Sequence, residues 1–473
     1  TNGLDISVAE LTKITGTDVE LVSAGNITVD NVSAASTANI GGTLTLDGAA
    51  DVNFVTSATV TTNGLTVEAD NQVDVDVAIT TNAGNLSIDG DANNAANTND
   101  NVDIAAGLTL TAGGELTLDA SAGNVTGAGA LTLNAADGVT INDDLTTAGI
   151  LTVDADVGVG DNDGTFTIAA GTAVSSTNNS VSITADDVAL TGTLSSGSAS
   201  TTLTDSDGTG AGLGGTAVTD GLNVSGTELQ NVTAQGFEIA TAGTITVDGI
   251  SAANSANLTG TTTLDATGVI TFATNASTFN TLAVESDGGI AVNVDLTTDT
   301  GALALDGDVD NATAGNVTFV DGVTLASETT LTLDATSGNL TGAGALTLNA
   351  KEGITISDDL TTAGLTTINA DTDQGDGAGT LTLAANVTLS TTNGALAITA
   401  EDFVLTGDSI TSGTNTTTLT DSDGSSGIGL GDTAVDFHVS GAELQKITAT
   451  GLTLATGGNI TLDNVSAANT GNI

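Results

Sequence analysis

Six residue types are missing from this 473-residue chain: it has no Cys, Pro, Met, Trp, Tyr or Arg. Without cysteine there is no disulfide framework and no thiolate metal site. Without proline no backbone donor is removed from a sheet ladder. Positive charge is almost absent as well, with three lysines and one histidine set against 58 acidic residues, for a formal net charge of −55. No basic patch can be assembled to neutralise phosphate, so nucleic acid is excluded as a partner. Anionic membrane surfaces are disfavoured for the same reason. No apolar run approaches the ~18 residues of a spanning helix, so membrane insertion is not expected.

High charge with few aromatics is the usual signature of disorder. Here the apolar residues, 39% of the chain, are ordered rather than scattered. The recurring unit is apolar-Thr-apolar-Asp/Asn: Ile27-Thr28-Val29-Asp30, Leu44-Thr45-Leu46-Asp47, Leu116-Thr117-Leu118-Asp119, Leu131-Thr132-Leu133-Asn134, Leu151-Thr152-Val153-Asp154. Alternation puts both apolar side chains on one face and Thr on the other. The Asp or Asn then opens a turn. Strands are therefore short, and no stretch shows a capped 3.6-residue period.

Spacing selects the architecture. Tetrad-like pairs fall at Leu44/Leu46, Leu65/Val67, Leu86/Ile88, Leu108/Leu110 and Leu131/Leu133, and a second series runs through Phe54, Val75 and Ile104/Leu118. Short strands recurring every ~21 residues indicate a solenoid. The expected fold is an all-β parallel β-helix of about 22 coils of roughly 21 residues, a rod ~105 Å long at ~4.8 Å per rung. Its narrow interior suits small aliphatics, which accounts for the scarcity of aromatics.

A longer repeat overlies the coil. Thr1-Asn2-Gly3-Leu4 returns as Thr219-Asp220-Gly221-Leu222, and Glu10-Leu11 returns as Glu228-Leu229 and Glu443-Leu444. The expected organisation is one continuous solenoid with super-repeat copies at 1–218 and 219–433 and the start of a third at 434–473. Stopping partway through a copy reads as a window from a longer repetitive polymer. Further copies of the repeat, or neighbouring rods, are then the expected partners.

Gly25-Asn26-Ile27-Thr28-Val29, Gly84-Asn85-Leu86-Ser87-Ile88, Gly114-Glu115-Leu116-Thr117-Leu118 and Gly458-Asn459-Ile460-Thr461-Leu462 resemble the coils of filamentous-haemagglutinin-like proteins. That resemblance implies a right-handed β-helical shaft, an extracellular or cell-surface location in a bacterial adhesin or fibre, and an unidentified surface receptor or glycan as ligand. The chain departs from the pattern in its acidity and its lack of Arg.

Catalytic constellations are missing. His438, the one histidine, stands where Asp5 and Asn223 stand in the other copies, and alternation points it outward. Lys351 replaces Ala136; Lys13 and Lys446 replace Asn231. The expectation is a non-catalytic protein that requires no cofactor. The one site chemistry on offer is Ca²⁺ or another divalent cation at Asp-rich turns. Asp205-Ser206-Asp207-Gly208 recurs as Asp421-Ser422-Asp423-Gly424, Asp89-Gly90-Asp91 recurs as Asp306-Gly307-Asp308, and Asp161-Asn162-Asp163-Gly164 has a looser counterpart in Asp371-Thr372-Asp373. Alternate Asp oxygens ahead of a Gly turn can converge on Ca²⁺, while the same sequence is also simply a good turn. A Ca²⁺-dependent matrix or surface-layer module is thus the second reading. With −55 charges over such a rod, the axial density approaches that of duplex DNA, about one charge per ~1.7 Å. Divalent cations could therefore act as an atmosphere without dedicated sites.

Overall fold

The computed structural model describes residues 6–55, 59–95, 99–158, 163–215, 217–219, 221–312, 315–374, 377–424, 427–433 and 435–473. Within them the chain is all-β, built from parallel ladders of short strands with a few one-turn helices. It divides into two compact units. One comprises Thr1–Gly210, Val218–Ala240 and Asn257–Thr259; the other comprises Ala211–Ala217, Thr241–Ala256 and Gly260–Ile473.

In the first unit, successive strands fall on three ladders in rotation. Leu116–Asp119 lies on the first, Val125–Gly127 on the second and Leu131–Ala135 on the third. Val139–Ile141 then returns to the first. The first ladder runs from Val19–Ser23 to Asp187–Leu190, the second from Ile27–Val29 to Val232–Thr233, and the third from Val60–Thr62 through Ser200–Asp205. The second unit repeats the plan. One of its ladders runs from Thr262–Ala266 to Asp402–Leu405, another from Thr244–Asp248 to Ile447–Thr448, and the last from Ser277–Phe279 to Gly451–Ala455. Three parallel ladders visited in turn are the plan of a β-solenoid.

The tetrads form the rungs as alternation requires. Leu131–Ala135 alternates buried and half-buried positions, with Leu131 and Leu133 inside. Leu131 pairs with Leu108 on one side and Leu151 on the other, and Leu133 with Leu110 and Val153. Each inward leucine thus stacks on an aliphatic above and below, and each fully buried side chain contributes roughly 1.5–3 kcal/mol. All eight phenylalanines are buried.

Register refines the spacing read from sequence. Leu44 pairs Leu65 and Leu65 pairs Leu86, at the even interval the tetrads show. The next partner of Leu86 is Leu116, a distinctly longer step, whereas Leu108 and Leu131 pair on a different ladder. The apparent series Leu44-Leu65-Leu86-Leu108-Leu131 therefore changes face at Leu108, because extra residues between Asp89 and Asn101 delay the return. The second series holds from Phe54 through Val75 to Ile104, but Leu118 belongs to the first ladder.

Two further features depart from the sequence reading. Thr is not always outward: Thr147 and Thr362 end their strands pointing inward, fully buried. The Thr147 hydroxyl donates to the Gly149 carbonyl at 2.9 Å, and the Thr362 hydroxyl meets that of Thr366. Capped helices also exist. Val8–Leu11, Gly226–Gln230 and Gly441–Gln445 are one-turn helices, each with a full capping box, Ser7/Glu10, Ser225/Glu228 and Ser440/Glu443. In all three the Glu closes the box through the cap amide. In the second and third its other oxygen accepts from an earlier coil: Leu190 N–H to Glu228 at 3.2 Å, Leu405 N–H to Glu443 at 3.1 Å.

Phe166 fixes a rung between Val139 and Val188. Phe166→Ala should cost ~3–5 kcal/mol. Because a solenoid is held by nearest-neighbour coils, hydrogen exchange should accelerate first in Val139–Ile141 and Asp187–Leu190. Uniform acceleration across the chain would contradict this. Ser225→Ala, which opens a capping box, should cost about 1 kcal/mol in denaturant unfolding.

Candidate functional site

The Asp-rich turns sit where strands end and the chain bends to the next ladder. The structure separates them into three kinds.

Asp89 and Asp91, with their counterparts Asp306 and Asp308, act as turn and coil connectors. The Asp91 amide donates to Asp89 Oδ1 at 2.9 Å, and the Asp308 amide donates to Asp306 Oδ1 at 3.1 Å. Asp91 is fully buried and spends both oxygens on backbone donors. Its Oδ1 accepts from Ala95 N–H at 3.2 Å and its Oδ2 from Ala122 N–H at 2.8 Å, one coil on. Asp308 Oδ2 likewise accepts from Ser337 N–H at 2.7 Å, while its buried Oδ1 has no hydrogen-bond partner. Asp89 and Asp306 lie in columns of like charge. Asp47, Glu68, Asp89 and Asp119 pair rung on rung, as do Asp265, Glu285, Asp306 and Asp334. Burial first, and then the charges of Asp119, Asp91 and Glu68 at Asp89 and of Asp334, Asp308 and Asp287 at Asp306, push both carboxyls above the usual range, against the Asp91 and Asp308 amides that lower them.

Asp163 is exposed, and Asp161 lies outside the described residues.

Asp205 and Asp207, with their counterparts Asp421 and Asp423, stand in a denser setting. Gly208 and Gly424 both adopt φ of 66°, which closes the turn and suits glycine. Asp205 is 5% exposed, and its Oδ2 accepts from Gly210 N–H at 2.9 Å. Asp421 is 3% exposed; its Oδ2 accepts from Gly427 N–H at 3.1 Å and from the Thr456 hydroxyl at 2.7 Å, while Oδ1 has no partner. The structure adds residues that the sequence did not bring to this turn. Ladder register aligns Asp154 with Thr184, and Ala185 with Asp205. Asp156, Asp186 and Ser206 therefore occupy the same position on three successive rungs. The Ser206 hydroxyl donates to Asp156 Oδ2 at 2.6 Å, across the rung of Asp186. Asp186 is 6% exposed, and its Oδ1 is buried without a hydrogen-bond partner. Burial, then the charges of Asp207, Asp156, Asp187 and Asp205, raises its carboxyl from 3.8 to about 6.

Among the described residues, no group of three or more His, Asp or Glu side chains already closes around a metal-sized point. The one ion pair among them joins Lys351 to Glu328. Lys446 takes over a structural bond: its Nζ donates to the Leu405 carbonyl at 3.1 Å, where Asn231 donates to that of Leu190 at 2.8 Å. His438 is half-buried between the buried Phe437 and Val439, with Nε2 2.9 Å from the Gly431 carbonyl. A depression of about 240 Å³ lined by Ala34, Thr37, Ala38, Ile40, Gly41, Asn63 and Asn82 carries no titratable side chain. No helix among the described residues is long and apolar enough to cross a membrane.

Comparison of the chain with protein-family models, curated proteins and solved structures finds no match.

The raised carboxyl of Asp186 fixes the sign of a pH effect. Its folded pKa lies above the unfolded value, so the stabilising contribution is complete below pH 3.8 and is lost as pH rises through about 6. In chelator and low salt, stability should fall between about pH 4 and 6.5, and Asp186→Asn should flatten the slope. A slope unchanged in the variant would refute the assignment.

Proposed function

We propose that the chain is a structural, non-catalytic segment of an extracellular fibre or adhesin shaft, its function being length, stiffness and a dense negative surface. The observation that carries this reading is where the repeated residues are used. Leu131-Thr132-Leu133-Asn134 and its copy Leu346-Thr347-Leu348-Asn349 are both spent on rung-to-rung pairing within their ladders, with the leucines inward and Thr outward. A sequence duplicated to preserve pairing extends an object without altering its chemistry, because each coil is held by its neighbours.

The resemblance of the Gly-Asn-Ile-Thr-Leu-like coils to filamentous-haemagglutinin-like proteins supports a right-handed winding, a microbial cell-surface location and an unidentified receptor or glycan. The step from Leu86 to Leu116 on the first ladder is longer than that from Leu65 to Leu86. Coil length therefore varies along the ladder instead of holding at the tetrad interval. Acidity supports solubility and mutual repulsion of unbridged shafts, with further copies of the repeat as partners and neither nucleic acid nor membrane insertion involved.

Electron microscopy of the full chain tests the reading. Extended particles of uniform width are expected, bundling when divalent cations are added and separating in chelator. Compact particles of unequal axes, with no bundling under either condition, would overturn it.

A further inference from the structure

We propose that Asp156, Asp186, Asp205 and Asp207 form a Ca²⁺ site at one corner of the solenoid, drawn from three consecutive coils, and that Asp371, Glu401, Asp421 and Asp423 form its duplicate in the second unit. The Asp-Ser-Asp-Gly turn supplies only half of each site. The other half comes from the two preceding rungs.

The first support is position. Asp156, Asp186 and Ser206 are stacked by the ladder, and the bond from the Ser206 hydroxyl to Asp156 spans the rung between them. The Asp186 carboxyl is therefore enclosed, with Asp156 and the Asp205-Ser206-Asp207 turn on either side. The second support is an unsatisfied atom. An ionised carboxylate only accepts, and a buried acceptor left without a donor costs free energy. Asp186 Oδ1 is in that state at 6% exposure. No lysine serves it: Lys351 pairs Glu328, Lys446 bonds the Leu405 carbonyl, and Lys13 is exposed beside the helix Val8–Leu11. Neutralisation must come from protons or from a bound cation.

The third support is recurrence. In the second unit Asn369 aligns with Thr399 and Ala400 with Asp421, which stacks Asp371, Glu401 and Ser422 in the same order. The Ser422 hydroxyl donates to Asp371 Oδ2 at 2.5 Å, matching Ser206 and Asp156. Here it is Asp421 Oδ1 that is buried without a partner. Two independent copies keep the serine bridge, the acidic stack and one orphan oxygen.

An all-oxygen set rich in carboxylates selects a hard cation. Ca²⁺ accepts six to eight oxygens in adaptable geometry, waters included, whereas Mg²⁺ demands a near-ideal octahedron. The oxygens do not already converge, as expected of like charges with no counterion between them. The ion draws them in and retains water where they do not reach. The Asp89/Asp91 turn lacks this character, because Asp91 commits both oxygens to amides; its counterpart Asp308 commits one oxygen to the Ser337 amide and leaves the other unpartnered.

The test is a Ca²⁺ titration of the chelator-treated full chain at neutral pH and ~0.15 M salt, where the Debye length of ~8 Å suppresses atmosphere binding. Saturable uptake of one ion per unit is expected, with a rise in the thermal midpoint. Asp186→Asn should raise the ion-free midpoint, by relieving repulsion, while losing one of the two ions. Glu401→Gln should lose the other. Asp207→Asn, half-buried and beyond the strand end, gives a second reading of the first site should Asp186→Asn fail to fold. Undiminished stoichiometry in these variants, or uptake that never saturates and vanishes with salt, would overturn the proposal. The outcome is independent of the fibre reading, since a solenoid that forms no filament would bind the same ions.

Discussion

The parallel backbone ladder imposes the constraint on which everything else rests. Strands ~4.8 Å apart and in register force each side chain to lie directly over its counterpart on the next coil. Leu108, Leu131 and Leu151 stack without penalty because aliphatic side chains pack well on one another. Thr109, Thr132 and Thr152 stack outward, where β-branching suits a half-buried pleat. The same rule makes acidic positions expensive, since Asp89 must lie between Glu68 and Asp119 and like charges directly opposite each other destabilise a pair. A repeat that copies its leucines for stability also copies its carboxylates into columns.

This explains which parts of the fold could be read from the sequence. Alternation in Leu-Thr-Leu-Asn is local, so strand identity, inward residues and parallel stacking were visible from the residues themselves. The face on which a strand falls is not local. It depends on how many residues the turns absorb, and the added segment between Asp89 and Asn101 shifts Leu108 to another ladder without altering the look of its tetrad. The one-turn helices were legible in principle: Ser7-Val8-Ala9-Glu10 and its copies carry the Ser-x-x-Glu signature, but a single turn is too short to show a helical period.

The acidic corner divides the same way. Asp205-Ser206-Asp207-Gly208 announces itself as a compact motif. Asp156 and Asp186 do not, because Ala155-Asp156-Val157 and Ala185-Asp186-Asp187 look like ordinary strand ends. Only the pairing of Asp154 with Thr184 and of Ala185 with Asp205 brings them to one corner. Conversely, Asp89-Gly90-Asp91 looks equivalent in sequence, yet its buried carboxylate is taken up by the amides of Ala95 and Ala122. Local composition cannot distinguish an aspartate that closes a turn from one that faces other aspartates; that difference is set by the neighbouring coil.

The two uses of aspartate answer one physical problem in different ways. A solenoid corner leaves backbone amides pointing away from any ladder, and a buried amide needs an acceptor. Asp91 and Asp308 meet that need by reaching forward one coil, tying corner to corner while spreading their charge over N–H dipoles. Where extra carboxylates crowd the same corner, as around Asp186, a buried carboxylate oxygen is left without a donor. Stability of such a fold is therefore linked to protons and cations as well as to packing. The aliphatic interior is insensitive to the medium, whereas the corners are not, so the medium acts on this solenoid through the places where its chain turns.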